Sequence, residues 1–470
     1  MIALVGGLLW APAANAGGRL DTGVFDPLTF LRPDAAEGLK HTRDAGARFA
    51  RLSVTWRAIA ATRPADPANH TDPAYRWDGL DLMVQQTLAA GLTPIFSIED
   101  SPSWAQKSNC GTSCDPSADA FADFGAAAAT RYNGCPIVGI NECQPAVRYW
   151  EAWNEPNIFV HLNPQYRNGK PASPGIYRSL LNKFTPAVKN VNSDNVVIGG
   201  TLHPFGRDRK SVAPLRFMRS LLCMSADPKP RPTCSAHAKF DIWGTNPYTQ
   251  GGPTHKASTV DGVSLGDLPK MRTLLRAAER YHHIDSPAHP VRFWVTEFSW
   301  DSRPPDPGGV PASLHARWVS EAMYRAWLSG VSNFIWFLIR DEARSAGQSH
   351  RATYGSGLFL RGGSGVGSDS PKPAFRAFRF PFVAYTTRHG LRVWGRTPDS
   401  SGGTVRLQRK KDGTWRNLRS AGASSHGVFS KAFRTGVRSG SLRATFNGEV
   451  SRGFSLKIPR TPSRVCVFGC

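Results

Sequence analysis

Eight short apolar segments recur along the first 380 residues, most of them followed by a longer stretch of helical periodicity. This alternation limits the fold more than any other feature of the chain. The segments are Gly23–Asp26, Phe49–Trp56, Leu92–Ile98, Val147–Asn154, Val196–Thr201, Phe240–Tyr248, Val291–Phe298 and Phe334–Ile339. They are almost continuously apolar, as strands covered on both faces must be. Helical patterns such as Leu80–Ala90, Phe121–Tyr132, Leu268–Tyr281 and Ala312–Leu328 fill the gaps. The pattern predicts an α/β fold of the (β/α)8 TIM barrel type with loop insertions. A doubly wound sheet is the rival, but no glycine-rich phosphate turn follows the first strand. The Gly362–Gly367 stretch lacks the Gly-Lys-Ser/Thr ending of a phosphate loop and reads as a plain loop.

After Pro371-Lys372-Pro373, a helix-like Ala374–Phe380 closes the barrel and the texture changes. Short alternating runs follow at Leu391–Trp394, Thr404–Arg409, Trp415–Leu418, Val428–Phe433, Ser441–Phe446 and Gly453–Ile458, separated by Gly, Ser and Asp-Gly turns. They predict a small C-terminal antiparallel β-sandwich. The expected division is a leader over 1–16, a barrel over 17–380 and the sandwich over 381–470. Charge follows this division. The chain carries 58 Lys and Arg against 35 Asp and Glu, a net +23. From Lys372 onward 20 basic residues face three acidic ones, Asp399, Asp412 and Glu449, so this last stretch holds +17 and the rest only +6. The cluster Arg406, Arg409, Lys410 and Lys411 makes the sandwich a candidate for docking on an anionic cell-envelope polymer; a soluble basic surface is the equal alternative. No nucleic-acid motif with interleaved aromatics is present, and no nucleic-acid partner is expected.

The apolar run Met1–Trp10 followed by Ala14-Asn15-Ala16 reads as a secretory signal peptide with a mature end near Gly17. No Lys or Arg precedes the run, and a short buried helix is the alternative. No later run reaches 18 apolar residues, so no transmembrane segment is expected in the mature chain. The eight cysteines form local pairs: Cys110 with Cys114, Cys135 with Cys143, Cys223 with Cys234, and Cys466 with Cys470. Disulfides pinning loops in an oxidising compartment fit this spacing, and with the leader they predict a secreted, extracellular protein. Crossed pairing among the first four remains open, as does a zinc site on them, which lacks any Cys-x-x-Cys knuckle.

In a barrel, reactive groups sit where strands end at the C-terminal face. Two segments put a glutamate among tryptophans there: Tyr149-Trp150-Glu151-Ala152-Trp153-Asn154-Glu155-Pro156-Asn157 after the fourth strand, and Phe293-Trp294-Val295-Thr296-Glu297-Phe298-Ser299-Trp300 at the seventh. Strands four and seven lie nearly opposite, so Glu155 and Glu297 would face across the mouth. Cleaving a glycosidic bond needs such a pair, one carboxyl protonating the leaving oxygen and the other attacking the anomeric carbon. A separation of about 5–5.5 Å gives retention by double displacement. Apolar surroundings and the partner's charge raise the pKa of the acid.

With these motifs the chain resembles the clan of retaining glycoside hydrolases with a (β/α)8 barrel, and within it the family-39-like and family-5-like (cellulase-type) members. The resemblance implies Glu155 as acid/base in Trp153-Asn154-Glu155-Pro156 and Asn154 as holder of the sugar 2-hydroxyl. It also implies Glu297 as nucleophile in Thr296-Glu297-Phe298. It further implies Arg51 as a clamp on the nucleophile, Tyr248 as its hydroxyl partner and Trp336 as the floor of the subsite. Ser101-Pro102-Ser103-Trp104-Ala105 matches a loop that brings Trp104 to the substrate. The implied substrate is carbohydrate, with no cofactor. Clan members often place a His two residues before the strand-six tyrosine; here that position is Asn246, which does not titrate, and His255 downstream is the candidate replacement.

Several of these residues have a plainer reading. Glu151 lies four residues before Glu155, roughly 13 Å along a strand, and reads as a structural carboxylate; Arg51 is its candidate partner, a role compatible with clamping Glu297. Trp56 and Trp104 either line the cleft or fill a core. Glu99 and Asp100 touch substrate or are solvated. Asp341 binds sugar hydroxyls or caps a helix. The functional alternatives are a non-catalytic carbohydrate-binding envelope protein and a transglycosylase on the same scaffold.

Overall fold

A computed structural model describes residues 18–134, 144–207 and 209–459. Eight parallel strands close a barrel: β1 (Asp21–Phe25), β2 (Phe49–Thr55), β3 (Thr93–Glu99), β4 (Tyr149–Ala152), β5 (Val196–Leu202), β6 (Ile242–Thr245), β7 (Arg292–Phe298) and β8 (Val331–Phe337). They are joined in sequence order, with β8 returning to β1 through the register Asp21 to Asn333 and Phe25 to Phe337. Around them run α1 (Ala35–Asp44), α2 (Asp78–Ala89), α3 (Ala118–Arg131), α4 (Ser173–Val191), α5 (Pro214–Leu222), α6 (Leu268–Arg280), α7 (Ala312–Leu328) and α8 (Pro373–Arg379). The predicted strands and helices differ from these by a few residues at their ends. The main departures are Val147–Asn154 and Phe240–Tyr248, in each of which only four residues are strand.

Three aromatic rings plug the barrel near the starts of its strands. Phe49 stands edge-on to Tyr149 at 5.1 Å, Tyr149 stacks on Trp294 at 5.6 Å, and Phe49 meets Trp294 at 5.4 Å. Such pairs add to the area they bury. The polar interior begins one layer above, at Arg51 and Glu151. In β7 the register against β8 shifts between Val295 and Phe298. A bulge of this kind re-aims a side chain, and it lets Glu297 reach the interior three residues after Trp294, where strict alternation would turn it outward.

The C-terminal region forms antiparallel sheets. One joins β9 (Phe382–Thr387), β10 (Gly390–Arg396) and β13 (Val428–Arg434); the other joins β11 (Gly403–Lys411), β12 (Thr414–Ala423), β14 (Ser441–Phe446), β15 (Glu449–Val450) and β16 (Phe454–Ser455). Strand β9, whose Phe382-Val383-Ala384 is buried, was not among the predicted runs; only Phe380 and Pro381 separate it from α8. The sheets pack against α7. Buried Trp394 meets Tyr324 at 5.4 Å and Trp327 at 5.9 Å, and the Arg317 guanidinium lies 3.8 Å over the ring of Phe454. One hydrophobic core therefore runs from the barrel's outer layer into the sheets.

Cys110 is bonded to Cys114 and Cys223 to Cys234, which closes the crossed and zinc alternatives for Cys110 and Cys114. Cys135, Cys143, Cys466 and Cys470 lie outside the described residues, as does the leader over 1–16. Among the described residues no helix is long and apolar enough to cross a membrane. Because Trp394 joins the sheets to α7, Trp394→Ala is expected to cost about 3–5 kcal/mol in denaturant unfolding of the full chain. A loss below about 1 kcal/mol would show that this contact contributes little.

Candidate active site

The carboxylates are positioned by backbone that departs from regular strand geometry. After β4 the chain turns through Trp153 and Glu155, both in the left-handed region at φ 82° and 41°. Across the groove Thr201, near the end of β5, is also left-handed at φ 49°, which is costly for a β-branched residue. The two strained turns hold each other. The Thr201 hydroxyl donates to the Trp153 carbonyl at 2.8 Å, and the Glu155 amide donates to the Thr201 carbonyl at 3.2 Å. Tyr177 of α4 braces the same corner, its hydroxyl donating to the Ala152 carbonyl at 2.8 Å and accepting from the Gly200 amide at 3.0 Å. Strain over-determined in this way marks sites where a side chain has to be aimed.

Beneath the mouth, Arg51 is fully buried and organises the acidic groups. Its Nε donates to Glu151 Oε2 at 3.0 Å, and Nη2 also binds the Glu151 carboxylate. Nη1 donates to Glu297 Oε2 at 3.0 Å. Nη2 reaches Ser97 Oγ at 2.9 Å and Asn154 Oδ1 at 2.8 Å as well. The Phe25 ring lies 4.1 Å under the guanidinium. Arg51 thus serves Glu151 and Glu297 together. It also engages the side-chain oxygen of Asn154, whose amide hydrogen-bonds to the Glu99 carboxylate. Ser97 completes the layer by donating to Glu151 Oε1 at 2.7 Å.

Glu297 receives a second hydrogen bond from the Tyr248 hydroxyl at 2.5 Å. Burial raises its pKa to about 7; Arg51 opposes that, Glu155 adds to it, and the Tyr248 hydrogen bond opposes it again. Glu155 is held from two sides. Asn246 Nδ2 donates to Oε1 at 2.9 Å, and His203 Nδ1 lies 3.2 Å from Oε2. Asn246 is itself fixed, its oxygen accepting from Thr296 Oγ1 at 2.7 Å. Burial pushes the Glu155 carboxyl up, but the His203 charge and hydrogen bond outweigh it and hold the carboxyl below its usual value. The two carboxylates influence each other's titration and release their protons as a set.

The groups open onto a cleft of about 960 Å³ that Glu99, Asn154, Glu155, Tyr248 and Glu297 line together with His161, His203 and His255. Apolar and aromatic side chains also line it, among them Leu28, Ile158, Phe159, Phe205, Phe337 and Tyr354. No tryptophan is found among the described lining residues, contrary to expectation. Trp336 is fully buried and faces outward, donating to the Ser356 carbonyl at 2.9 Å and packing on His315 and Phe378. Strand alternation gives the inward position to its neighbour Phe337. Trp104 donates to the Ala60 carbonyl at 2.8 Å and sits edge-on to Trp56, which stacks on Phe124 in the core. Asp341 is buried in an ion pair with Lys372, away from the cleft. Glu99 is a cleft residue rather than a solvated one, raised to about 7 by burial, with Arg51 opposing; His161 Nδ1 lies 3.5 Å from it. His255 lines the cleft, but Glu155's hydrogen bonds go to Asn246 and His203. His203 was missed because acidic residues alone were sought at strand ends; its place just past β5 was the available signal.

No family model and no curated protein matches the sequence. Solved structures do match. The fold is similar to that of a family 39 glycoside hydrolase. That enzyme, from the gut symbiont Bacteroides cellulosilyticus, aligns at TM-score 0.51 and 14% identity over 88% of this chain and 81% of its own. A family 39 enzyme from Xanthomonas axonopodis pv. citri aligns at 0.49 and 15% identity, covering 88% of this chain and 90% of its own. A family 39 β-xylosidase from Caulobacter crescentus aligns at 0.49 and 18%, covering 83% and 82%. At 14% identity the first of these is a likeness of fold.

Removing Arg51 would leave Glu151 and Glu297 buried without a cation. Arg51→Met is expected to cost about 3–5 kcal/mol at alkaline pH. The loss should shrink as pH falls, because protonated carboxyls no longer need a counter-ion. Urea unfolding at alkaline and mildly acidic pH reads this, and a pH-independent loss would contradict it.

Proposed function

We propose that the chain is a secreted retaining glycosidase that hydrolyses O-glycosidic bonds of a poly- or oligosaccharide by double displacement. The observation that supports it is two carboxylates from β4 and β7, each fixed by its own hydrogen-bond partners, sharing one cleft. Glu297 is the nucleophile. Its contacts with Arg51 and Tyr248 favour the ionised form and fix its orientation, and protonating Glu155 removes the nearby charge that resists ionisation. Glu155 gives its proton to the leaving oxygen as the bond from that oxygen to the anomeric carbon breaks. The carboxylate of Glu297 bonds to the same carbon. Water then attacks this carbon, Glu155 takes one proton from the water, and the bond to Glu297 breaks. Asn154, next to the acid/base, lines the same cleft and is assigned to a sugar hydroxyl. Secretion accords with the two disulfides.

Glu297→Gln is expected to abolish turnover. Glu155→Ala should lose about 10²–10⁴-fold on substrates with poor leaving groups, far less on nitrophenyl glycosides, and recover with azide. A screen of nitrophenyl glycosides and polysaccharides, followed by NMR of the first-formed anomer, reads both. Turnover unchanged in both variants, or an inverted product, would overturn the proposal. On the acid side, kcat/KM should fall with a midpoint near the raised Glu297 value of about 7, because only the ionised carboxyl attacks; a midpoint near 4.5, the ordinary glutamate value, would contradict it.

The basic sheets suggest where the enzyme is held. Arg406, Lys410, Lys411 and Arg416 are exposed on strands β11 and β12, and we assign to this region docking on an anionic envelope polymer. Retention on acidic polysaccharide should weaken with salt and be lost in Arg406→Glu/Lys410→Glu, with hydrolysis of small soluble substrates unchanged. Retention that ignores both salt and the substitutions would remove this assignment.

A further inference from the structure

We propose that His203 is a positioning residue for the acid/base, so that Glu155 and His203 form a dyad holding one mobile proton. The inference rests on the glycosidase reading and names what sets the protonation of Glu155. Where clan members often have a titrating histidine, this chain has Asn246, whose amide binds Glu155 Oε1 but carries no charge. His203 meets the other oxygen at 3.2 Å from a different strand end. Its backbone is locked in place. Asn157, two residues after Glu155, accepts from the His203 amide at 2.8 Å and donates to the His203 carbonyl at 2.9 Å. Asn157 is fully buried and donates to the Val212 carbonyl as well, at 3.0 Å. One buried amide thus ties the turn that carries the acid to the turn that carries its partner, and a shift of either would move both.

The charged groups around His203 favour a shared proton. Glu155 faces it from the end of β4 and Glu297 from β7, and both raise the imidazole against the lowering effect of burial. Glu99 and His161 line the same cleft across from it, with Arg207 and Lys210 on its own loop and His255 on the loop after β6. In the resting site the proton sits on the imidazole and Glu155 is ionised. For reaction it crosses to Glu155 Oε2, leaving His203 neutral. Glu155 passes it to the departing oxygen, and the dyad is then empty. When water attacks the glycosyl-enzyme, its hydroxyl joins the sugar and its remaining proton returns to the dyad. One proton enters and one leaves per turnover. The dyad keeps a carboxyl ready to protonate at a pH where an isolated carboxyl beside a cation would stay ionised.

Two measurements test this, and the first needs no substrate. In an NMR titration with the His203 signal assigned from His203→Gln, the imidazole should titrate above its ordinary value in the wild-type protein. It should fall by about 1–3 units in Glu155→Gln. An unchanged His203 titration would overturn the dyad whatever the enzyme hydrolyses. The second is kinetic, on the substrate found in the screen. The alkaline limb of kcat/KM should move with temperature as an imidazole ionisation does, and in His203→Gln it should become insensitive to temperature, as a carboxyl ionisation is. Limbs that respond alike in the two proteins would also overturn it, even with Glu297→Gln inactive and azide rescue of Glu155→Ala intact. Absence of any hydrolysis would instead count against the glycosidase reading and leave the NMR outcome to decide the dyad.

Discussion

A single buried guanidinium holds the polar interior of the barrel together. Arg51 has no exposed surface, and it binds Glu151, Glu297, Ser97 and Asn154 at once. Taking charges out of water is costly, and the cost is offset only when geometry and hydrogen bonding are complete. Here the planar fork supplies that geometry, with one edge on Glu151 and the other nitrogen on Glu297. Glu151 is the structural member: it lies deepest, is fully buried, and receives Ser97 as well. Glu297 is the exposed member, 8% accessible and open to the cleft. The same cation therefore anchors the core and sets the charge of the group above it. A lysine here, with one compact ammonium, would not span both carboxylates.

The groups above Arg51 reach the mouth by breaking strand periodicity. Glu297 turns inward through the bulge in β7, Glu155 sits in a left-handed turn, and Thr201 opposite it is strained in the same sense. Regular strands place side chains in layers two residues apart, too coarse a spacing to bring carboxylates from opposite walls over one point. The irregular turns supply the finer adjustment, and the bonds from Thr201, Tyr177 and Asn157 hold them there. The aromatic plug below and the packed helices outside give these turns a fixed base.

The barrel was legible because its signal is physical and repeated: eight runs that had to be covered on both faces. The positions of the two carboxylates were legible because strand ends of a barrel are where reactive groups gather, and Arg51 was legible through the family resemblance and as a partner for Glu151. What alternation could not give was direction. Trp336 and Phe337 are adjacent, and only the register of β8 against β1 decides which one enters the cleft. Trp104 looked like a stacking residue but is held by Ala60 and Trp56. His203 escaped notice because its partner, Glu155, is 48 residues away, and pairings between strand ends are invisible along one chain. Strand β9 was hidden for a simpler reason, the two-residue spacing that joins it to α8.

The charge inventory of the site bears on the protonation proposed for it. Four carboxylates, Glu99, Glu151, Glu155 and Glu297, are gathered around the buried Arg51, with Arg207 and Lys210 also lining the cleft. Arg51 compensates Glu151 most directly and Glu297 in part, and the carboxyls left over are pushed up by burial, as Glu99 and Glu297 both are. His203 adds a further cation when protonated, and it does so beside Glu155, the carboxyl proposed as acid/base. An arginine at that place would hold Glu155 permanently ionised. An imidazole can surrender its proton to the carboxylate it stabilises, so a group whose charge is reversible near neutral pH suits the alternation between acid and base proposed for Glu155.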